Sequence, residues 1–179
     1  NYDILFAIMA VQEVVFFAPI AKRLREEEGV SVAFLTFHEA GDDILKREGM
    51  PYFSLHKIKQ QMEQNDYADI SLSGIEERLK NKMKELVIHE MLTANRQDEA
   101  FLHNKVIQYY AIIDKIFKEN NISCVVQELG GFIAPQLLYY ISRYHNINHV
   151  FIEPAMFPKR IVFTLNRLYA DIDEYDDRV

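Results

Sequence analysis

The sequence predicts an α/β fold, a doubly wound parallel sheet with helices on both faces, built from residues 1–179 as one domain. Three observations predict it. Short runs rich in Val, Ile, Leu and Phe alternate with longer stretches whose apolar residues recur at helical spacing. The connections between them are only a few residues long. Residues 122–157 also hold a complete unit: an apolar run at 122–126, a polar turn with Gly130 and Gly131, an amphipathic stretch at 132–144, and a second run at 149–152. That unit reads strand, turn, helix, strand.

Taken in order, residues 3–8 (DILFAI) predict a first buried strand and residues 9–12 the loop that leaves it. Residues 13–28 carry Phe17, Ile20, Ala21 and Leu24 on one stripe and charged residues opposite, which predicts a helix stopped by Gly29. Residues 30–37 (VSVAFLTF) predict the second strand, 38–48 a second helix ended by Gly49, and 52–55 a short third strand. Residues 56–74 are polar and rich in Gln, Asn and Asp, and are read as a mobile loop without an element.

Two helical stripes follow. Ile75, Leu79, Met83, Leu86, Val87 and Met91 form one, and Leu102, Val106, Tyr109, Ile113 and Phe117 the other; both are expected to pack on the sheet or on each other. In the unit at 122–157 the strands are short and Val/Ile-rich, as buried parallel strands are. Pro135 falls in the first helical turn, where its missing N–H costs nothing. Beyond residue 157 the chain begins apolar and finishes acidic, which predicts a closing helix and a frayed end. The whole order is that of a Rossmann-like domain.

Composition removes several functions. A net charge of -7 argues against nucleic acid as a partner, because phosphate neutralisation requires a basic face. The single cysteine, Cys124, cannot form an intrachain disulfide and sits in an apolar run, where core packing is the expected role. No apolar run reaches the roughly 20 residues of a membrane span and no signal peptide is visible, so a cytoplasmic protein is expected. The chain starts without Met and stops in an acidic tail, which suggests a piece of something longer. The six histidines show no metal-ligand spacing, no serine sits in a G-x-S-x-G setting, and the acidic pattern of a receiver domain is missing. Neither metal nor cofactor is expected. The first loop reads MAVQEVVF and lacks G-x-G-x-x-G, so it offers no cradle for a dinucleotide pyrophosphate.

In open α/β sheets ligands bind outside the carboxyl ends of the strands. With strand one central and strand four beside it, residues 9–13 face residues 127–131 across a crevice, and residues 153–156 flank its mouth. The expected binding residues are Gln12, Gln127, Glu128, Gly130, Gly131 and His38. The glycine pair serves either a close approach of backbone to a ligand at a helix N-terminus or a plain tight turn. His38 either faces the crevice or simply starts a helix. Lys159 and Arg160, beside Phe157-Pro158, offer a small contact for an anionic sugar or a membrane surface.

Two segments carry a resemblance. EVVFFAP at 13–19, after a first strand, is similar to the start of the GT-B-like UDP-N-acetylglucosamine 2-epimerases, where a loop glutamate precedes Ala-Pro by the same interval. HVFIEPAMFPKRI at 149–161 resembles the segment of capsular polysaccharide biosynthesis proteins in which a strand ends in Glu and a Phe-Pro or Leu-Pro follows. The chain departs from the epimerases where they carry Gly-Thr-Arg-Pro-Glu, here residues 9–13 (MAVQE), and where they carry Gly-Asp, here Gln127-Glu128. Those departures point away from epimerase chemistry.

The resemblance implies the amino-terminal domain of a GT-B glycosyltransferase that builds cell-surface, capsular polysaccharide. The partners it implies are a sugar acceptor, positioned here, and a nucleotide-sugar donor held mainly by a carboxy-terminal domain. It implies an isolated chain that is inactive; the expected place of work is the cytoplasm, with the inner face of the membrane as one option within it. The rival expectation is a flavodoxin-like binding or regulatory module acting alone.

Glycosyl transfer needs a base for the acceptor hydroxyl, and Glu13, Glu128 and Glu153 stand at the crevice; each could equally be a helix cap or a surface anion. Glu153 precedes Pro154, which holds it extended at a strand tip, so it is the expected catalytic base. Glu13, in a first helical turn, is expected to stay ionised and therefore to bind acceptor as the lesser catalytic candidate.

Overall fold

The computed structural model describes residues 1–93, 98–155 and 159–167. The first half alternates β1 (Tyr2–Ile8), α1 (Val11–Glu27), β2 (Val32–Thr36), α2 (Glu39–Arg47) and β3 (Tyr52–Ser54). Four helices follow: α3 (Leu55–Gln61), α4 (Leu72–Leu79), α5 (Met83–Thr93) and α6 (Glu99–Glu119). The second half is β4 (Ile122–Glu128), α7 (Ile133–Tyr144), β5 (Asn148–Pro154) and β6 (Ile161–Leu165). Across the sheet the order is β3-β2-β1-β4-β5-β6. The first five strands of that row are parallel, and β6 runs antiparallel to β5. The expected doubly wound sheet, with the first strand central and the fourth beside it, is therefore present.

Alternation along β1 explains the two layers. Leu5 and Ala7 face a core shared with α3 to α7, whereas Phe6 and Ile8 face a second core shared with α1 and α2. Side chains of a strand point alternately to its two faces, so a strand apolar at every position must be covered on both. No described helix is long and apolar enough to cross a membrane.

Three expectations are corrected. The stretch 56–74 is not a featureless loop: Ser54 accepts from the Lys57 N–H at 3.3 Å and starts α3, and Ser71 accepts from the Gly74 N–H at 3.1 Å and starts α4. These serine caps outweigh the polar composition. The first long stripe is two helices, broken at Lys80 in the left-handed conformation (φ 53°), with Glu76 of α4 accepting from the Met83 N–H at 2.9 Å. The stripe survives the break because Ile75, Leu79, Met83 and Leu86 all enter one core.

Where the closing helix was expected to begin, residues 161–165 form an edge strand instead. Residues 161–165 read IVFTL, β-branched and aromatic, and pair with the open side of β5. Asn166 fastens its end, accepting from the His149 N–H at 2.7 Å and from Arg143 at 2.8 Å through Oδ1. The acidic end at 168–179, on which the frayed-end expectation rests, and Phe157-Pro158 lie outside the described residues.

Candidate functional site

The carboxyl edge of the sheet opens into a cleft of about 400 Å³ between α1 and the tips of β4 and β5. Its polar wall is made of Gln12, Glu13, Glu128 and Glu153. Its apolar wall is Phe16 and Phe17 from α1, Ile152 and Pro154 from β5, and Ile161 from β6. Strand pairing brings these together: β1 lies beside β4, and Glu128 stands in register with Ile152 on β5, one residue from Glu153. The three carboxylates expected at the crevice therefore share one cleft, although 140 positions separate Glu13 from Glu153.

Local sequence dictates where Glu13 points. Ala10 caps α1 but has no side-chain acceptor, so the N–H groups of the first turn lack a partner from the cap itself. Glu13, the third residue of the helix, reaches back instead, and its Oε2 accepts from the Met9 N–H at 2.6 Å. This buries the carboxylate to 8% exposure. Burial pushes its pKa up to about 7, and Glu128, within hydrogen-bonding reach and of like charge, adds to the rise; the Met9 and Ala10 backbone groups oppose it. The helix dipole predicted an ionised, weakly basic Glu13, and the fold overrules that expectation through desolvation and a second carboxylate.

Asp42 gives the contrast. It is fully buried at the neighbouring part of the same sheet edge. Burial alone would raise its pKa, but hydrogen bonds from Ser54, Thr36 and Lys57, with the Lys57 charge, hold it below the usual range. Lys57 Nζ lies 2.9 Å from Asp42 Oδ2. Asp42 is thus a satisfied anion tying α2 and α3 to the tips of β2 and β3, whereas Glu13 is buried with its charge opposed. A carboxyl held near neutrality in an open cleft has the character of an acid–base group.

The structure does not bring the other expected binding residues to this wall. Gln127 is 1% exposed, and its Nε2 donates to the Pro135 carbonyl at 3.1 Å beneath the first turn of α7. His38 caps α2, its Nδ1 accepting from the Gly41 N–H at 3.1 Å. Gly130 and Gly131 are explained by packing: a Cβ on Gly130 would stand 2.9 Å from Pro135 Cγ, and one on Gly131 2.6 Å from His89 Cε1. The place a ligand anion would take at the start of α7 is filled by the protein itself. Glu90 of α5, 6% exposed, accepts from the Ile133 N–H at 3.2 Å and is ion-paired to Lys105.

Sequence reasoning missed Phe16, Ile161, Glu90 and the partners of Asp42. Phe16 was findable, because it stands three residues after Glu13 on one helix face. Glu90 was not, since 43 positions separate it from the N–H it serves. Cys124 is half-buried in β4 and burial pushes its thiol pKa up, which makes it a poor nucleophile. Among the described residues no group of three or more His, Cys, Asp or Glu is arranged to hold a metal ion. Compared with protein-family models, with curated proteins and with solved structures, the chain matches none.

Proposed function

We propose that this domain binds the acceptor of a glycosyl transfer in the cleft between α1, β4 and β5, and that Glu13 is the general base. The observation that carries the reading is the Glu13–Glu128 pair, in which Glu13 is buried, opposed by a like charge and held at a pKa of about 7. A base is most effective when its pKa lies near the working pH. In the transfer the acceptor hydroxyl oxygen bonds the sugar carbon, its proton passes to Glu13, and the bond from that carbon to the nucleoside diphosphate breaks. This reverses the roles expected from sequence: Glu153, half-buried at the tip of β5 in the same cleft, becomes the acceptor-binding partner together with Gln12.

The charge of the cleft favours an acceptor over a nucleotide. Its described lining includes three carboxylates and no lysine, arginine or histidine, which repels a pyrophosphate. Phe16, Ile152 and Pro154 supply an apolar wall suited to the C–H face of a sugar ring. The donor is then held by another domain, and the assembly works in the cytoplasm at the inner face of the membrane, with capsular polysaccharide as its product.

Calorimetry on this chain tests the reading with two panels, UDP-, GDP- and CMP-sugars and short neutral oligosaccharides. Oligosaccharides are expected to bind, and Gln12→Ala to weaken them. Micromolar binding of a sugar nucleotide would move the donor site here and overturn the division of labour.

A further inference from the structure

On the other side of the sheet, Lys59 of α3 and Lys105 of α6 converge on one aromatic ring. Each Nζ lies 5.4 Å from the centroid of Tyr109. Phe37, just past the tip of β2, packs edge-on against the same ring with centroids 6.4 Å apart. Lys105 is compensated by Glu90, but that carboxylate already serves the Ile133 N–H at the start of α7. Lys59 is half-buried and no carboxylate faces it among the described residues. Burial and the Lys105 charge hold its ammonium below the usual lysine range.

Two ammonium groups drawn to one ring repel each other, and the ring's quadrupole offsets only part of that. Among the described residues Glu90 is the one carboxylate in contact with the cluster, which leaves a positive charge there without a described counter-charge, in a protein of net charge -7. We propose that Lys59 and Lys105, with Tyr109 as the floor, form a seat for a small oxyanion, a phosphate or a sugar carboxylate, distinct from the acidic cleft. The seat has what the cleft lacks: two half-buried ammonium donors and a surplus of positive charge. Lysine contacts a carboxylate or phosphate as a point charge, so the shared chemistry is the oxyanion and not its parent molecule.

The test is an NMR titration of this chain with inorganic phosphate and, separately, with glucuronate, against sodium chloride at matched ionic strength. Either anion is expected to shift the amides around Lys59, Lys105 and Tyr109, with affinity falling at least tenfold in Lys59→Met and unchanged in Lys22→Met and Glu13→Gln. Shifts with phosphate alone assign the seat to a phosphoryl group, and shifts with glucuronate alone assign it to a sugar acid; both support it. No shift beyond that of chloride, or full binding by Lys59→Met, overturns it. Lys59→Met is also expected to melt above the wild type without anion and to lose the anion-dependent rise in Tm. Failure here leaves the acidic cleft untouched, since Glu13 takes no part.

Discussion

Replacing Glu13 by glutamine separates a catalytic carboxyl from a helix cap, because the two roles predict opposite signs for stability. Each factor of ten in acidity corresponds to about 1.4 kcal/mol. A carboxyl carried from 4.5 to about 7 therefore destabilises the ionised native state by about 3 kcal/mol at pH 8. Solvent in the open cleft screens part of that, and the amide accepts more weakly from the Met9 N–H, so a net gain of about 1–2 kcal/mol is expected for Glu13→Gln. The sign follows from linkage: a raised carboxyl contributes stability below its unfolded pKa and loses it as pH rises through the folded value. The gain should thus be absent at pH 4.5, grow between pH 4.5 and 7, and level off above. Urea denaturation of both proteins at several pH values and constant ionic strength measures it. A variant less stable than the wild type at pH 8 would mean that Glu13 is a cap of ordinary acidity, and the base assignment would fall. In a full transferase the same variant should lower kcat by about a hundredfold or more.

Three further outcomes are expected. His149 is fully buried, with Nδ1 2.7 Å from Ser142 Oγ and its ring against Tyr139 and Phe151, and burial with nearby Arg143 pushes its pKa down to about 3. A depressed histidine contributes stability above its unfolded pKa near 6.5 and loses it as pH falls, so His149→Phe should remove roughly 3 kcal/mol of acid sensitivity between pH 6.5 and 4 in urea denaturation. This slope opposes that of Glu13 between pH 6.5 and 4.5, and only the two variants reveal them separately. Gly131→Ala should cost about 1 kcal/mol through contact with the His89 ring, and adding His89→Ala should restore the Tm; if it does not, packing is not the reason for the glycine. Glu90→Ala should cost about 3–5 kcal/mol by stranding Lys105 and the Ile133 N–H, and a calorimetric loss below 1 kcal/mol would show that neither depends on it.

By itself the sequence determined the layers and, given the common doubly wound order, the place of the fourth strand beside the first; the edge strand β6 it did not. A strand apolar at every position, such as 33–35, must be covered on both faces, and right-handed crossovers leave few ways to arrange five such strands. It also determined which tips meet, and hence that Glu13, Glu128 and Glu153 share a cleft, because parallel order alone brings the ends of β1, β4 and β5 to one edge. Short-range signals were weaker where two structures suit the same residues. The stripe from Ile75 to Leu86 reads as one helix whether or not the chain turns at Lys80, and IVFTL begins a helix as well as a strand until β5 offers an open edge. The chemistry belonged to the tertiary structure. Whether a buried carboxyl is held near neutrality, as Glu13 is by burial and then by Glu128, or kept ionised, as Asp42 is by Ser54, Thr36 and Lys57, depends on distances between residues far apart in sequence. The same holds for Gly131 and Glu90, whose roles were set by His89 and by the first turn of α7. Periodicity reports what a segment buries, and only packing decides which charges it meets.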